Sequence, residues 1–159
     1  MDDFIFESDR LLGNVYKDWG QYAKAVEYYE KSLGIARKVG DVKGEGSTLM
    51  GLGEVYRHLG EHDKALASFQ KAMAIYVRIG VPIGTPNDMI GNLYLDSGDL
   101  AKAEPFIKQA NFISSLGRLN LAKADYPSAK NSYEKLLKSA EKNRSADNLF
   151  TAYAGLGMS

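Results

Sequence analysis

The sequence predicts an all-α fold, an α-solenoid of stacked antiparallel helix pairs, from three observations. A glycine that follows an apolar residue recurs along the chain, at Gly13, Gly53, Gly91, Gly117 and Gly157. Each of the first four is followed, at fixed intervals, by a small residue, an alanine and a large apolar residue. The apolar residues between these markers have helical periodicity. A motif that repeats in register indicates a repeat architecture, in which neighbouring helical units share a continuous core.

The first unit shows how the two helices of a pair are recognised. Residues near 5–19 form the first helix, and Gly20 ends it because a positive φ angle costs glycine little. Its apolar face comprises Leu11, Leu12, Val15, Tyr16 and Trp19. A second helix follows and ends at Gly40. Its apolar stripe comprises Ala25, Tyr28, Tyr29, Leu33 and Ala36. Charged residues occupy the opposite side, which predicts an amphipathic helix with one buried face.

The second unit repeats this arrangement with breaks at Gly60 and Gly80. The apolar residues of its two helices are Leu49, Leu52, Val55, Tyr56, Leu59, Ala65, Phe69, Ala72 and Met73. Small residues at the motif glycine and alanine let two helices cross closely. We expect the large ring of Tyr29 or Phe69 to fill the space toward the next unit.

The recurring pattern, apolar-Gly-x-x-Tyr-x-x-x-Gly-x-x-x-x-Ala-x-x-x-aromatic, resembles the tetratricopeptide repeat. Residues 12–16 and 52–56 match the part of the pattern that belongs to the first helix of a repeat. Residues 22–33 match the part that belongs to the second helix almost completely. The spacing from Gly13 to Gly53 is 40 residues, longer than the usual repeat of about 34. It resembles the long-repeat subgroup that includes kinesin light chain. The resemblance implies a superhelical array that binds other proteins.

We predict one array over residues 1–159. Its approximate units are 5–42, 43–83, 84–111, 112–144 and a C-terminal capping or partial-repeat helix at 145–159. The apolar character of that last helix is compatible with a cap, with an assembly surface or with a fragment of a longer protein.

The spacing between motif glycines breaks once, where Gly91 and Gly117 are only 26 residues apart. Two interpretations remain open. Residues 100–123 form either one fused helix, which would expose apolar faces and favour domain swapping, or two helices with a tight turn near Asn111. Pro105 should bend or weaken the chain locally in either case.

Composition disfavours several classes of function. The 20 basic and 20 acidic side chains balance, so no nucleic-acid or membrane partner is expected, although a local patch remains possible. The chain has no cysteine, no apolar signal core at its start, and no window near the roughly 18 apolar residues of a membrane span. We therefore expect a cytoplasmic protein.

No residue set predicts catalysis, a metal or a cofactor. His58 and His62 have a spacing that suits zinc on a helix, but Gly60 separates them and no third ligand is evident. The pairs Gly44-x-Gly46 and Gly51-x-Gly53 lack the lysine and the preceding strand of a phosphate loop, so they are interpreted as structural. We predict that the chain is not an enzyme.

The resemblance implies a groove lined by the first helix of each unit. Its family-typical contact positions are Arg10, Asn14, Lys17, Met50, Glu54, Arg57, Asp88, Asn92 and Leu95. Ser114, Arg118 and Leu121 follow if the fourth unit stays in register. Asn14 and Asn92 resemble the family's asparagine that grips a peptide backbone. Some family members bind a C-terminal carboxylate with lysine, arginine and asparagine, and Arg10 and Asn14 match the beginning of such a clamp. Met50 and Asp88 do not continue it, so a chaperone-tail receptor is not expected.

The leading hypothesis is a protein–protein interaction module that binds a peptide or helix of another protein in this concave groove. The alternative is a self-assembling scaffold, a domain-swapped dimer or oligomer formed through the irregular third and fourth units and the apolar end helix.

Overall fold

The computed structural model describes residues 2–157, and the side chains from Glu7 onward. Residues 1, 158 and 159 of the predicted array lie outside the described part. Within that part the chain is all α-helical without a strand, which confirms the predicted fold class. The helices are α1 Asp2–Asp18, α2 Tyr22–Val39, α3 Val42–His58, α4 His62–Arg78, α5 Gly84–Asp96, α6 Leu100–Ala110, α7 Ile113–Ala122, α8 Tyr126–Asn143 and α9 Ala146–Leu156.

The chain divides into two compact units, residues 1–89 and 90–159, called unit 1 and unit 2 below. In unit 1, α1 packs on α2, α3 packs on α4, and α2 also contacts α3. In unit 2, α6 contacts α7, α7 packs on α8, and α8 packs on α9. No helix among residues 2–157 combines the length and apolarity that a membrane span requires.

The core of unit 1 is organised by Tyr29, whose ring lies against two glycines. A Cβ atom added to Gly13 would lie 2.7 Å from Cδ1 of Tyr29, and one added to Gly51 would lie 2.6 Å from its Cζ. These distances are shorter than carbon atoms tolerate, so the ring requires glycine on both sides. Phe69 approaches Gly53 in the same way. The Gly51-x-Gly53 pair therefore has a structural role, because both glycines accommodate aromatic rings.

Unit 2 uses the same device around Tyr133. Its ring lies against Gly117, where an added Cβ would be 2.8 Å from Cζ, and against Gly155 in the last helix. The buried residues of this cluster are Ala129, Tyr133, Leu136 and Ala152. The aromatic-and-glycine contact thus joins the last three helices of unit 2 as it joins the first three of unit 1.

The short glycine spacing results from two truncated helices separated by a turn. Helix α6 has 11 residues and α7 has 10, whereas α2 has 18. Asn111 ends α6 in the left-handed conformation, with φ of 58°, which asparagine adopts more readily than most residues. The fused-helix alternative for residues 100–123 is therefore wrong. Helix α6 includes Pro105 without ending there.

Two apolar residues of α1, Leu12 and Val15, are more exposed than their counterparts on α3, Leu52 and Val55. Leu52 and Val55 of α3 pack in a core cluster with Ala25 and Tyr29 of α2. Leu12 and Val15 are 37% and 39% exposed. Trp19 and its counterpart Leu59 are both exposed, at 68% and 44%.

Candidate binding surface

The first helices of unit 1 carry six of the predicted contact residues, and one ion pair joins the two helices. Arg10, Asn14 and Lys17 are spaced four and three residues apart, so they share one face of α1. Met50, Glu54 and Arg57 repeat that spacing on α3. The Nζ atom of Lys17 lies 2.5 Å from Oε2 of Glu54, which joins the two helices through this face. We call these six residues the α1–α3 face.

Asn14 has a fixed orientation within the α1–α3 face. Its Oδ1 accepts a hydrogen bond of 2.6 Å from the hydroxyl of Tyr29. Burial raises the pKa of the Tyr29 phenol, so this hydroxyl remains a donor at neutral pH. The Nδ2 group of Asn14 has no partner among the described side chains. Its two N–H donors are therefore not used by those side chains.

The other members of the α1–α3 face differ in how available they are. Arg10 is paired with the exposed carboxylate of Glu7 on its own helix, and an ion pair of this kind is weak. Arg57 is half-buried, and Met50 is only 8% exposed. A ligand would therefore meet the polar atoms on α1 more readily than Met50.

Asp88 and Asn92 are both buried, at 9% and 8% exposure. In unit 2, Asn92 donates its Nδ2–H to Oγ of Ser115 over 3.0 Å and accepts a bond of 2.5 Å from Nη1 of Arg118. Both polar ends of its amide are thus used within the chain. Asn92 acts as a support for Arg118 in this arrangement.

Arg118 is the most accessible polar group of the predicted face in unit 2. Its Nη2 lies 2.8 Å from Oδ1 of Asp96, and its side chain is partly exposed. Leu95, which the sequence placed on the face, packs beside the buried cluster of Ala103, Ile107 and Leu119. Sequence reasoning did not identify Ser115 as a partner of Asn92. Its position two residues before the motif glycine corresponds to Gly51 in unit 1, which was interpreted only as structural.

The two histidines have structural surroundings. His58 is the last residue of α3, and its ring stacks on Tyr22 with centroids 5.2 Å apart. His62 begins α4 on the other side of the turn. No group of three or more metal-ligating side chains occurs among the described residues.

A family model described as the tetratricopeptide repeat matches residues 4–78 and 45–110, together more than half of the chain. The chain belongs to the tetratricopeptide repeat family. This fold is a general protein–protein interaction module, and its members are generally non-enzymatic scaffolds. No curated protein matches the sequence.

Solved structures of tetratricopeptide repeat proteins share the fold at low sequence identity. BtubC (BKLC) from P. vanneervenii has a TM-score of 0.72 and 20% identity, over 93% of this chain and 66% of that one. A Podosopora anserina putative kinesin light chain with nearly identical TPR-like repeats has a TM-score of 0.68 and 17% identity, over 95% of this chain and 86% of that one. The APC/C hetero-tetramer Cut9-Hcn1 has a TM-score of 0.67 and 23% identity, over 92% of this chain and 29% of that one. The resemblance to kinesin light chain type repeats is thereby confirmed.

The chain spans slightly less than two thirds of the BtubC chain and under a third of the Cut9-Hcn1 match. At these identities the likeness concerns the fold alone. Any partner of this tetratricopeptide repeat chain must be argued from its own residues.

Proposed function

We propose that the α1–α3 face binds an extended peptide or a helix of another protein. The observation that carries the proposal is the orientation of Asn14. Its oxygen is held by Tyr29, and its Nδ2 donors are left for a ligand carbonyl. A hydrogen bond from a side chain that is already oriented costs less conformational entropy than one from a mobile side chain.

The charges next to Asn14 favour a ligand carboxylate near Arg10. Lys17 and Glu54 neutralise one another, so they contribute little net field. Among the side chains from Glu7 onward, Arg10 pairs only with the exposed Glu7, and a ligand carboxylate can compete for its guanidinium. A peptide backbone on Asn14 with an acidic residue near Arg10 is therefore the arrangement we propose.

In unit 2 we propose Arg118 as a contact residue, oriented by Asn92 and Asp96. Asn92 is assigned a positioning role because both ends of its amide are engaged. Direct ligand contacts of Met50, Arg57, Asp88 and Leu95 stay predictions.

Asn14→Asp tests this proposal without disturbing the core. The new carboxylate keeps an acceptor for the Tyr29 hydroxyl but removes both N–H donors. Asn131→Asp on the exposed side of α8 is the matched control, since it adds the same charge to a helix outside the face. Both proteins should melt at the wild-type temperature. We expect Asn14→Asp to lose partners in pull-downs from native lysate that Asn131→Asp retains.

A second pair of variants tests the charge assignment. Arg10→Glu and Lys31→Glu each reverse a cation that pairs with a carboxylate on its own helix. Only Arg10→Glu should weaken partner capture. If all four variants retain every partner, the α1–α3 face is not the binding surface.

Exposed aromatic residues on α9 favour self-association as a second candidate function. Phe150 is 77% exposed, and Tyr153 is also exposed. We propose that they form a homodimer contact. This contact does not need the fused helix, which the structure does not contain. Light scattering of the wild type and of Phe150→Ser tests whether this homodimer forms, and we expect the wild type to be dimeric and the variant monomeric. A monomeric wild type at high concentration removes the candidate.

No cofactor or catalytic step is part of the proposal. The cytoplasmic location expected from the sequence stays a prediction, which fractionation of the source cells tests.

A further inference from the structure

A second groove lies on unit 1, away from the α1–α3 face. It runs between the second helices α2 and α4, with α3 beneath it, and consists of two adjoining cavities of about 270 and 280 Å³. Arg37, Leu49 and Lys71 line both cavities, so the groove is continuous. We call it the α2–α4 groove.

The wall formed by α4 carries three cations in register. Lys64, Lys71 and Arg78 are seven residues apart, and all three line the groove. Seven residues are nearly two helical turns, so these side chains project from one face at intervals of about 10.5 Å. Arg37 adds a fourth cation from α2.

The carboxylates of the α2–α4 groove do not balance these cations. Glu45 accepts a bond of 2.8 Å from Nε of Arg37, and Lys64 is paired with Glu61 on its own helix. Glu30 lies at the Lys64 end of the groove. Among the side chains that the structure describes, Lys71 and Arg78 have no carboxylate within ion-pair distance. The groove is therefore locally basic in a chain whose net charge is zero.

Between the charged walls the α2–α4 groove is apolar. Leu49 and Leu52 form its buried floor, and Tyr56 lies partly buried at one end. Ala67 and Ala74 stand on the α4 wall, seven residues apart, and Ile75 adds apolar surface beside them. The small side chains let another chain approach α4 closely. An apolar floor between separated cations suits a peptide side chain better than a phosphate backbone.

We propose that the α2–α4 groove binds an acidic peptide segment whose carboxylates are about 10 Å apart and are separated by an apolar residue. The carboxylates pair with Lys71 and Arg78, and the apolar side chain lies over Leu49 beside Ala74. In a polyproline II conformation, three residues complete one turn and rise about 9.3 Å, so acidic residues three apart project from one side of the peptide and match the two cations. This surface belongs to the second helices and is independent of the proposed function.

The probe for this proposal is a fluorescein-labelled peptide of four Glu-Leu-Ala repeats, measured by fluorescence anisotropy at low salt. We expect saturable binding to the wild type and at least a tenfold rise in Kd for Lys71→Glu/Arg78→Glu. The matched control, Lys135→Glu/Lys142→Glu, reverses two exposed lysines seven residues apart on α8. It should change Kd less than twofold. Lys71→Ala/Arg78→Ala replaces the first variant if that variant does not fold.

Three further arms identify the ligand chemistry. A peptide of four Glu-Ser-Ala repeats should bind more weakly, because it lacks the apolar side chain. Single-stranded DNA should compete poorly, and Asn14→Asp should leave the affinity for the probe unchanged. The proposal is overturned if the wild type does not bind the probe, if the two charge reversals weaken binding equally, if the serine peptide binds as well, or if DNA displaces the probe efficiently.

Discussion

Units 1 and 2 build the same turn between a first and a second helix from different residues. In unit 1 the turn before α4 contains Gly60, with φ of 75°. In unit 2 the corresponding turn before α8 contains Ala124, with φ of 58°. A left-handed residue other than glycine costs about 1–2 kcal/mol. Helix packing therefore imposes this turn even on a residue that disfavours it, and glycine adopts the same conformation at a lower cost in free energy.

The cores of the two units are alike in one respect and different in another. Tyr29 and Tyr133 each lie between two glycines of neighbouring helices. The hydroxyl of Tyr29 donates to Asn14, whereas the residue that corresponds to Asn14 in unit 2 is Arg118, which bonds to Asn92 and Asp96 instead. The ring position is thus repeated, and the polar contact at its tip is not.

A large side chain at the point where two helices cross should destabilise either unit strongly. Ala65 is fully buried, and Ala129 is nearly so. Ala65→Trp and Ala129→Trp should each cost about 1–3 kcal/mol of stability, or more, because a large side chain cannot fit a closely packed core. Thermal melting checks both. An unchanged melting temperature for either variant would contradict the common crossing geometry.

Substitution by alanine should change stability in opposite directions at a glycine that contacts a ring and at a glycine that faces solvent. Gly51→Ala should cost about 1–3 kcal/mol, because its Cβ would overlap the ring of Tyr29. Gly34 lies within α2 with no atom near an added Cβ, so Gly34→Ala should stabilise the helix by about 0.5–1 kcal/mol. The two changes should therefore move the denaturation midpoint in opposite directions. Shifts of the same sign would refute the ring contact.

The turn comparison predicts opposite effects of the reciprocal substitutions. Ala124→Gly should stabilise the protein by about 1 kcal/mol, since glycine relieves the left-handed strain. Gly60→Ala should destabilise it by a similar amount, about 1 kcal/mol. Urea denaturation measures both. A destabilising effect of Ala124→Gly would contradict a strained left-handed conformation at that position.

The smallest effect concerns the hydroxyls of the two buried tyrosines. Tyr29→Phe removes the bond to Asn14 and should cost about 0.5–1.5 kcal/mol. Tyr133→Phe should be close to neutral, because among the described residues its hydroxyl has no hydrogen-bond partner. Equal losses in the two variants would show that the tips of the rings have equivalent surroundings.

Much of the fold could be predicted because the residues that define each helix pair lie close together in the sequence. The motif glycines, the alanine and the ring recur at fixed intervals, and the structure brings Gly13 and Tyr29 into contact. The sequence did not decide between the two interpretations of residues 100–123, because Asn111 is a weaker signal for a turn than glycine. The exposure of Trp19 was not evident either, since the same stripe pattern describes a covered helix and an uncovered one.

The candidate site was predicted less completely than the fold. The repeat spacing alone predicted which side of each first helix carries Asn14 and Asn92. It did not distinguish an asparagine whose N–H groups make no hydrogen bond to described side chains from one whose amide oxygen and nitrogen are both hydrogen-bonded. That difference depends on partners distant in sequence, Tyr29 for Asn14 and Ser115 with Arg118 for Asn92.

Site-specific photo-crosslinking in cells tests directly whether the α1–α3 face binds a partner. A photo-reactive amino acid in place of the exposed Glu7, which lies beside Arg10 on α1, samples this face and leaves Arg10 and Asn14 intact. The same amino acid in place of Lys138 samples the exposed side of α8. We predict discrete crosslinked protein bands from position 7 that are absent at position 138. Crosslinks of equal yield and pattern at both positions, or none at position 7, would contradict a partner-binding surface on the first helices.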